Sequence, residues 1–309
     1  MTTTELTAYL DARLIEVEAA LTSILPPKPD CPAVVLEAMQ YSLMAGGKRL
    51  RPILCLASAD AVGGNRWLAM PAAGAIELIH TYSLIHDDLP AMDDDTMRRG
   101  RPTLHVVAGE GMAILAGDGL LTHAFHLLAT EPSSSNDHEL MERKLRVIEI
   151  VAAAAGPIGM VGGQAIDLAC VRADPQGRVL PQLDAQGLGV MHGKKTGALI
   201  RGAATAGAIM GGGNAVQVDA IDRAAGEFGL AFQIVDDILD VEGASAELGK
   251  TAGKDAAAGK PTYPQLYGLE ASRRMARECL ARAESVLAGA NLADARLLGI
   301  GRWIVERSK

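Results

Sequence analysis

Two acidic motifs carry the chemistry in this chain. His-Asp-Asp-Leu-Pro-Ala-Met-Asp runs from His86 to Asp93, and Asp-Asp-Ile-Leu-Asp from Asp236 to Asp240, both in apolar, helix-forming surroundings. In the second motif Asp236 and Asp240 are four residues apart, so a helix places them one turn above each other on one face, with Asp237 beside them. Two carboxylates ~6 Å apart repel by about 3 kcal/mol at an effective dielectric of 20, a cost that a cation bound between them removes. Hard oxygen donors suit Mg²⁺, which keeps waters and substrate phosphates in its octahedron. The ligand expected at such a clamp is a polyphosphate.

The first motif has no such simple phase. Asp87 and Asp93 lie six apart, roughly 240° around a helix, and would point in different directions on a continuous one. Pro90 removes a backbone donor and disfavours the α conformation at Leu89. The helix is therefore expected to loosen after Asp88 and swing Asp93 or Asp94 back toward Asp87. Taken alone, Asp93, Asp94 and Asp95 followed by Arg98, Arg99 and Arg101 could equally be a charge-balanced surface turn.

Basic residues stand near by in the sequence. Gly46-Gly47-Lys48-Arg49-Leu50-Arg51-Pro52 places three cations at the start of a helix after two glycines, suited to an anion or simply to solvent. Lys195-Thr196-Gly197 and Lys260 add two more basic positions. Each lysine alone reads as a surface residue; together with the acidic motifs they describe a pocket for two anionic substrates.

The elements that must position these residues read as helices. Apolar spacing predicts helices over 4–25, 33–44, 71–86, 110–128, 139–155, 160–170, 187–209, 216–242, 269–288 and 293–305, with Gln164 and Asp167 sharing a face and Pro71 at the first turn of its helix. Residues 131–138, 172–182 and 243–264 read as loops, the last carrying Lys260. No β-hairpin signature and no further internal repeat are evident. Aromatics make up only 3% of the 309 residues while alanine, leucine and glycine dominate, which favours close-packed helices over a sandwich or barrel.

A net charge of −8 speaks against a nucleic-acid surface. Cys31, Cys55, Cys170 and Cys279 are too scattered for a zinc or redox pair. The amino terminus lacks a basic and apolar leader, and no run of 18 apolar residues is free of glycine, proline or charge, so a cytoplasmic protein without a membrane span is expected.

The motifs GGKRLRP at 46–52, HDDLPAMDDD at 86–95, RRGRPT at 98–103, GGQAIDL at 162–168, KTG at 195–197, FQIVDDILD at 232–240 and GKDAAAGKPTYP at 253–264 occur here in one order. In that set the chain resembles the short-chain trans-isoprenyl diphosphate synthases, most nearly bacterial farnesyl diphosphate synthases. The resemblance implies an all-α, single-domain bundle over 1–309, about ten core helices around a deep central cavity, and usually a homodimer. It implies that Asp87, Asp93, Asp236 and Asp240 bind three Mg²⁺, with Mn²⁺ a possible substitute, that Asp88 and Asp237 support them, and that Arg98, Lys195 and Lys260 contact the same allylic diphosphate. Thr196 and Gln233 would stabilise an allylic cation, and Lys48, Arg51, His80 and Arg99 would hold isopentenyl diphosphate, whose double bond attacks. Its proton would leave to the departing diphosphate.

Product length is expected to be C15, with C20 the alternative. Tyr82 lies five residues before Asp87, about 7.5 Å along a helix, where a ring could stop a growing tail; Tyr82 followed by the small Ser83 resembles the farnesyl enzymes. Thr96-Met97 and Gly111 depart from the usual pattern, and Arg307 and Lys309 stand for the family's basic tail. Three other readings compete. Glu77-x-x-His80 matches half of a di-iron motif, without a second copy. A terpene cyclase would not need the GGKRLRP cations. A non-catalytic partner subunit typically loses aspartate motifs that this chain keeps.

Overall fold

Helices account for nearly all regular structure in the computed structural model, which describes residues 1–134, 136–171, 183–242 and 262–307. The chain divides into two compact units, residues 2–149 with 206–212, and 150–205 with 213–309.

The first unit begins with α1 (Thr3–Ser23), closed by a reciprocal capping box between Thr2 and Glu5. Next come α2 (Ala33–Leu43), α3 (Leu50–Ala61) and α4 (Arg66–Asp87). A two-residue antiparallel ladder pairs β1 (Met97–Arg98) with β2 (Arg101–Pro102). Helices α5 (Leu104–Ala108) and α6 (Glu110–Thr130) follow, then α7 (His138–Ala155) up to Glu149. Helix α4 is the centre of this unit. Ala69, Ala72, Ala73, Ala75, Ile76, Leu78 and Ile79 are almost fully enclosed, so it is apolar around most of its circumference and packs against both α3 and α6.

Helix α4 starts five residues before the position expected from Pro71. Asn65 accepts from the Trp67 N–H at 3.1 Å and caps the helix there, leaving Pro71 inside it. The ladder was also unexpected from sequence. Arg99 and Gly100 at its tip both take positive φ, 52° and 73°, the backbone of a tight two-residue hairpin turn, but Arg-Gly lacks the usual Asn-Gly or Asp-Gly signal.

The second unit holds α8 (Met160–Val171), α9 (Ala185–His192), a π-helical turn (Gly193–Gly197), α10 (Ala198–Met210) up to Thr205, α11 (Ala215–Glu242), α12 (Tyr263–Tyr267), α13 (Leu269–Gly289) and α14 (Ala295–Glu306). Helix α11 packs mainly on α13, and its Phe228, 1% exposed, fills the space beside α14 where Gly301 has no side chain. The expected loops at 172–182 and 243–264 lie outside the described residues, apart from 262–264. Thr262 forms a second capping box with Gln265 that starts α12.

By length and composition three stretches, 66–87, 110–130 and 138–170, could cross a membrane, contrary to the expectation from sequence. In the first, 67% of the apolar window is buried within the fold, where it forms the core of the first unit.

Candidate functional site

The first aspartate motif sits where α4 ends. Asp87 is its last residue and Asp88 its cap; the chain then folds back so that the Asp93 N–H donates to the Asp87 carbonyl at 2.8 Å and the Asp95 N–H to the Asp88 carbonyl at 3.2 Å. Asp94 takes φ 54°, a left-handed conformation that aspartate tolerates better than most residues. The stop at Pro90 thus does what a continuous helix could not, bringing the Asp93 backbone onto Asp87. Asp88 is buried and held by Arg98, whose Nε and Nη2 lie 2.8 and 2.5 Å from its Oδ1. Burial works against the Arg98 cation, but its bonds and proximity to Asp88 prevail and hold its pKa above the usual value. Arg98 is therefore engaged with Asp88 here, a role that the sequence did not single out.

The GGKRLRP segment splits its cations. Arg49, at φ 47°, is buried and turned inward: its Nη1 donates to Glu77 at 2.7 Å, its Nε to Glu18 at 2.7 Å and its Nη2 to the Leu43 carbonyl at 2.6 Å. Lys48 is exposed and Arg51 half-buried. Arg99 donates to the Gly46 carbonyl, and its guanidinium lies over Gly47, where a Cβ would stand 2.7 Å from Cζ. Gly47 at φ 128° takes a backbone conformation that favours glycine. Burial, then the charges of Arg51, Arg99, Arg98 and Arg49, push the His80 imidazole well below its usual pKa, so it is neutral at pH 7. The resemblance groups Lys48, Arg51, His80 and Arg99; the buried pair of Arg49 and Glu77 is a structural finding that no residue spacing signals. Glu77 is engaged by Arg49, and His80 feels the charge of four arginines, surroundings unlike those of a metal-binding Glu-x-x-His pair.

Tyr82 is buried on α4, its ring edge-on to His86 with centroids 5.7 Å apart. Burial and nearby Asp87 raise the phenol pKa. The Ser83 hydroxyl donates to the His80 carbonyl at 2.9 Å, an ordinary helical bond.

In the second unit Asp236, Asp237 and Asp240 stand in the last two turns of α11. Asp237 is buried and accepts the Tyr263 N–H at 2.9 Å, tying α11 to the start of α12. Asp236 is the outward carboxylate, and the Arg307 Nη2 donates to it at 2.6 Å. Gln233 is half-buried on the same helix. Lys195 and Thr196 belong to the π turn rather than to an α-helix, and Lys195 Nζ lies 2.5 Å from the Oδ2 of buried Asp167 on α8. Single π turns inside helices frequently mark functional positions. Lys260 and Lys309 lie outside the described residues.

Among the described residues no three acidic, histidine or cysteine side chains converge on one point. Each motif offers carboxylate oxygens that suit Mg²⁺, but an ion there must complete its shell with water and phosphate oxygens, as Mg²⁺ commonly does at polyphosphate sites.

Similarity to known proteins agrees with this chemistry. The polyprenyl synthetase family model matches residues 32–289. A chloroplastic geranylfarnesyl diphosphate synthase from Leucosceptrum canum is 44% identical over 303 residues, covering 98% of this chain and 80% of that protein. Large subunit 1 of a chloroplastic heterodimeric geranylgeranyl pyrophosphate synthase from Arabidopsis thaliana is 45% identical over 301 residues, 97% and 79% of the two chains. The crystal structure of an FPP/GFPP synthase from Zymomonas mobilis superposes with a TM-score of 0.83 at 36% identity, covering 98% of this chain and 100% of that one.

Proposed function

The chain belongs to the polyprenyl synthetase family and has its all-α fold and prenyltransferase activity, and from that premise we propose that it makes geranylgeranyl diphosphate by successive condensations of isopentenyl diphosphate with allylic diphosphates. The observation that carries the chemistry is the pair of aspartate motifs, one folded back on itself at a helix end and one on a single helix face. The geranylgeranyl names of Arabidopsis relatives favour C20 over C15.

In this reading Asp87, Asp93, Asp236 and Asp240 hold three Mg²⁺, or Mn²⁺ in their place. Bound Mg²⁺ supplies charge neutralisation of the allylic diphosphate as it becomes a leaving group. Asp88 keeps Arg98 beside the first motif, and Asp237 keeps α11 against the start of α12. Lys195, aimed by Asp167, binds diphosphate oxygens together with Arg98 and Lys260. The Thr196 and Gln233 oxygens face the positive charge that develops on the allylic carbon. Lys48, Arg51 and Arg99 bind the isopentenyl diphosphate, and neutral His80 adds a hydrogen bond without repelling its neighbours. The proton released in the condensation goes to the departing diphosphate.

A farnesyl product is the second reading, favoured by buried Tyr82 five residues before Asp87 with Ser83 beside it and by the FPP/GFPP name of the Zymomonas protein. One assay separates them: incubation with isopentenyl diphosphate, dimethylallyl diphosphate and Mg²⁺, followed by product-length analysis. Mainly C20 from the wild type supports the proposal and removes Tyr82 as the stop. Mainly C15 that shifts to C20 in Tyr82→Ala establishes the second reading instead. We further take the active form to be a homodimer, for which light scattering is the test; a protein that turns over only with a second, different chain would place it beside the heterodimeric relative. The chloroplastic names of the plant relatives give the expected cytoplasmic location no support.

A further inference from the structure

We propose that Arg307 is an internal counter-ion that occupies Asp236 in the free protein and must be displaced before that carboxylate can take a metal ion. The proposal rests on the reading of Asp236 as a metal ligand. Arg307 is the first residue beyond α14, in an extended conformation, and its side chain is only 4% exposed. Its Nη2 donates both to Asp236 Oδ1, at 2.6 Å, and to the Phe232 carbonyl, at 2.8 Å, while the guanidinium lies over the Phe232 ring with Cζ 3.9 Å from the centroid. These contacts fix a planar cation on one face of α11.

Two features bear on release of the contact. The Nε of Arg307 is buried and has no hydrogen-bond partner among the described residues, so the contact with Asp236 does not use every donor of the guanidinium. Arg307 also lines a half-open pocket of about 640 Å³ together with Val235, Ile238, Leu280 and Val305, so space adjoins the docked side chain. Asp236, with 42% of its side chain exposed, is meanwhile open to ions from solvent. A guanidinium and a divalent cation cannot share that carboxylate face, so the apparent metal affinity is reduced by the fraction of molecules in which Arg307 is docked.

Calorimetric titration with Mn²⁺ and inorganic pyrophosphate tests this in the full chain. Arg307→Gln should bind the pair about three- to tenfold more tightly than wild type, the range expected for loss of a competing, partly exposed ion pair, with Arg307→Lys between them. The two tryptophans allow a second readout, because Trp303 lies one turn before Arg307 and Trp67 can be replaced by phenylalanine. In Trp67→Phe, Mg²⁺ plus pyrophosphate should shift the Trp303 emission, and in Trp67→Phe/Arg307→Gln the free protein should already show the shifted spectrum. Equal or weaker affinity in Arg307→Gln, or an unmoved Trp303 spectrum, overturns the latch. If Asp236→Asn binds the pair as tightly as wild type, the metal assignment of Asp236 itself fails; if it binds weakly while Arg307→Gln gains nothing, only the latch is lost.

Discussion

Replacing Glu77 by alanine should unsettle the GGKRLRP segment from below. The Arg49 side chain has no exposed surface and Glu77 only 2%, and they meet at 2.7 Å. Removing one partner of a buried ion pair leaves the other charge desolvated, which typically costs 3–5 kcal/mol. Arg49 would keep Glu18, 31% exposed, and the Leu43 carbonyl, so the loss should fall below that range, at about 2–3 kcal/mol. For a chain of 309 residues that corresponds to a fall of roughly 3–5 °C in the thermal midpoint. Glu18→Ala, which removes the more exposed partner, should cost no more than about 1 kcal/mol. The assay is a thermal melt followed by far-ultraviolet circular dichroism, with Glu77→Gln expected between wild type and Glu77→Ala. A midpoint for Glu77→Ala within 1 °C of wild type, or above that of Glu18→Ala, would refute the claim that this buried pair anchors the residues flanking Lys48 and Arg51.

Other outcomes can be checked directly. Asp87→Ala and Asp236→Ala should each lower condensation by about two orders of magnitude, measured with saturating substrates and Mg²⁺. Asp236→Ala should in addition melt slightly earlier without Mg²⁺, because Arg307 loses its carboxylate; near-normal turnover in either folded variant sinks the clamp. His80 titrates below its unfolded value of about 6.5, so the unfolded chain binds more protons as pH falls past that value: stability should be full above it and decline below it. In His80→Gln that acid-side decline should shrink, and an unchanged difference in melting between pH 7.5 and 5.5 would contradict the assignment. Burial pushes the thiols of Cys55 and Cys279 up to about 12, so in the native protein at pH 8 a thiol reagent should modify Cys31 and Cys170 well before either of them, as peptide mapping would show.

The sequence made the helices and the acidic motifs readable because both rest on short-range patterns. The expected span 33–44 and the observed Ala33–Leu43 differ by one residue, since apolar spacing and the Gly46-Gly47 stop act within a single turn. Pro90 was readable for the same reason: its effect on Leu89 is local, and the fold-back of Asp93 onto Asp87 follows from it. What sequence could not show was which cation meets which carboxylate. Arg49 and Glu77 are 28 residues apart, Arg307 and Asp236 71 apart, and Lys195 and Asp167 28 apart. Nothing in the spacing of Lys48, Arg49 and Arg51 says that the middle one turns inward; that is decided by its left-handed backbone and by Glu77 waiting on α4.

The π turn at Gly193–Gly197 is the plainest case of a feature hidden from periodicity, and its neighbours approach it closely. A Cβ on Gly163 of α8 would lie 2.8 Å from the Lys194 carbonyl carbon, and one on Gly229 of α11 would lie 2.9 Å from the Gly197 Cα. Two helices therefore press on this turn at backbone distance from different directions, and neither approach is open to a residue with a side chain. A turn closed by i→i+5 bonds holds more residues than an α turn, so those on either side change phase relative to one another. Periodicity over 187–209 averages across that change and reads a single helix. The geometry instead delivers Lys195 to Asp167, which sits one helical turn beyond Gly163 on α8. The glycine that lets α8 approach and the aspartate that aims the lysine are thus four residues apart on one helix face, and both are needed to place Lys195: Gly163 sets how close the turn comes, and Asp167 sets where its ammonium points.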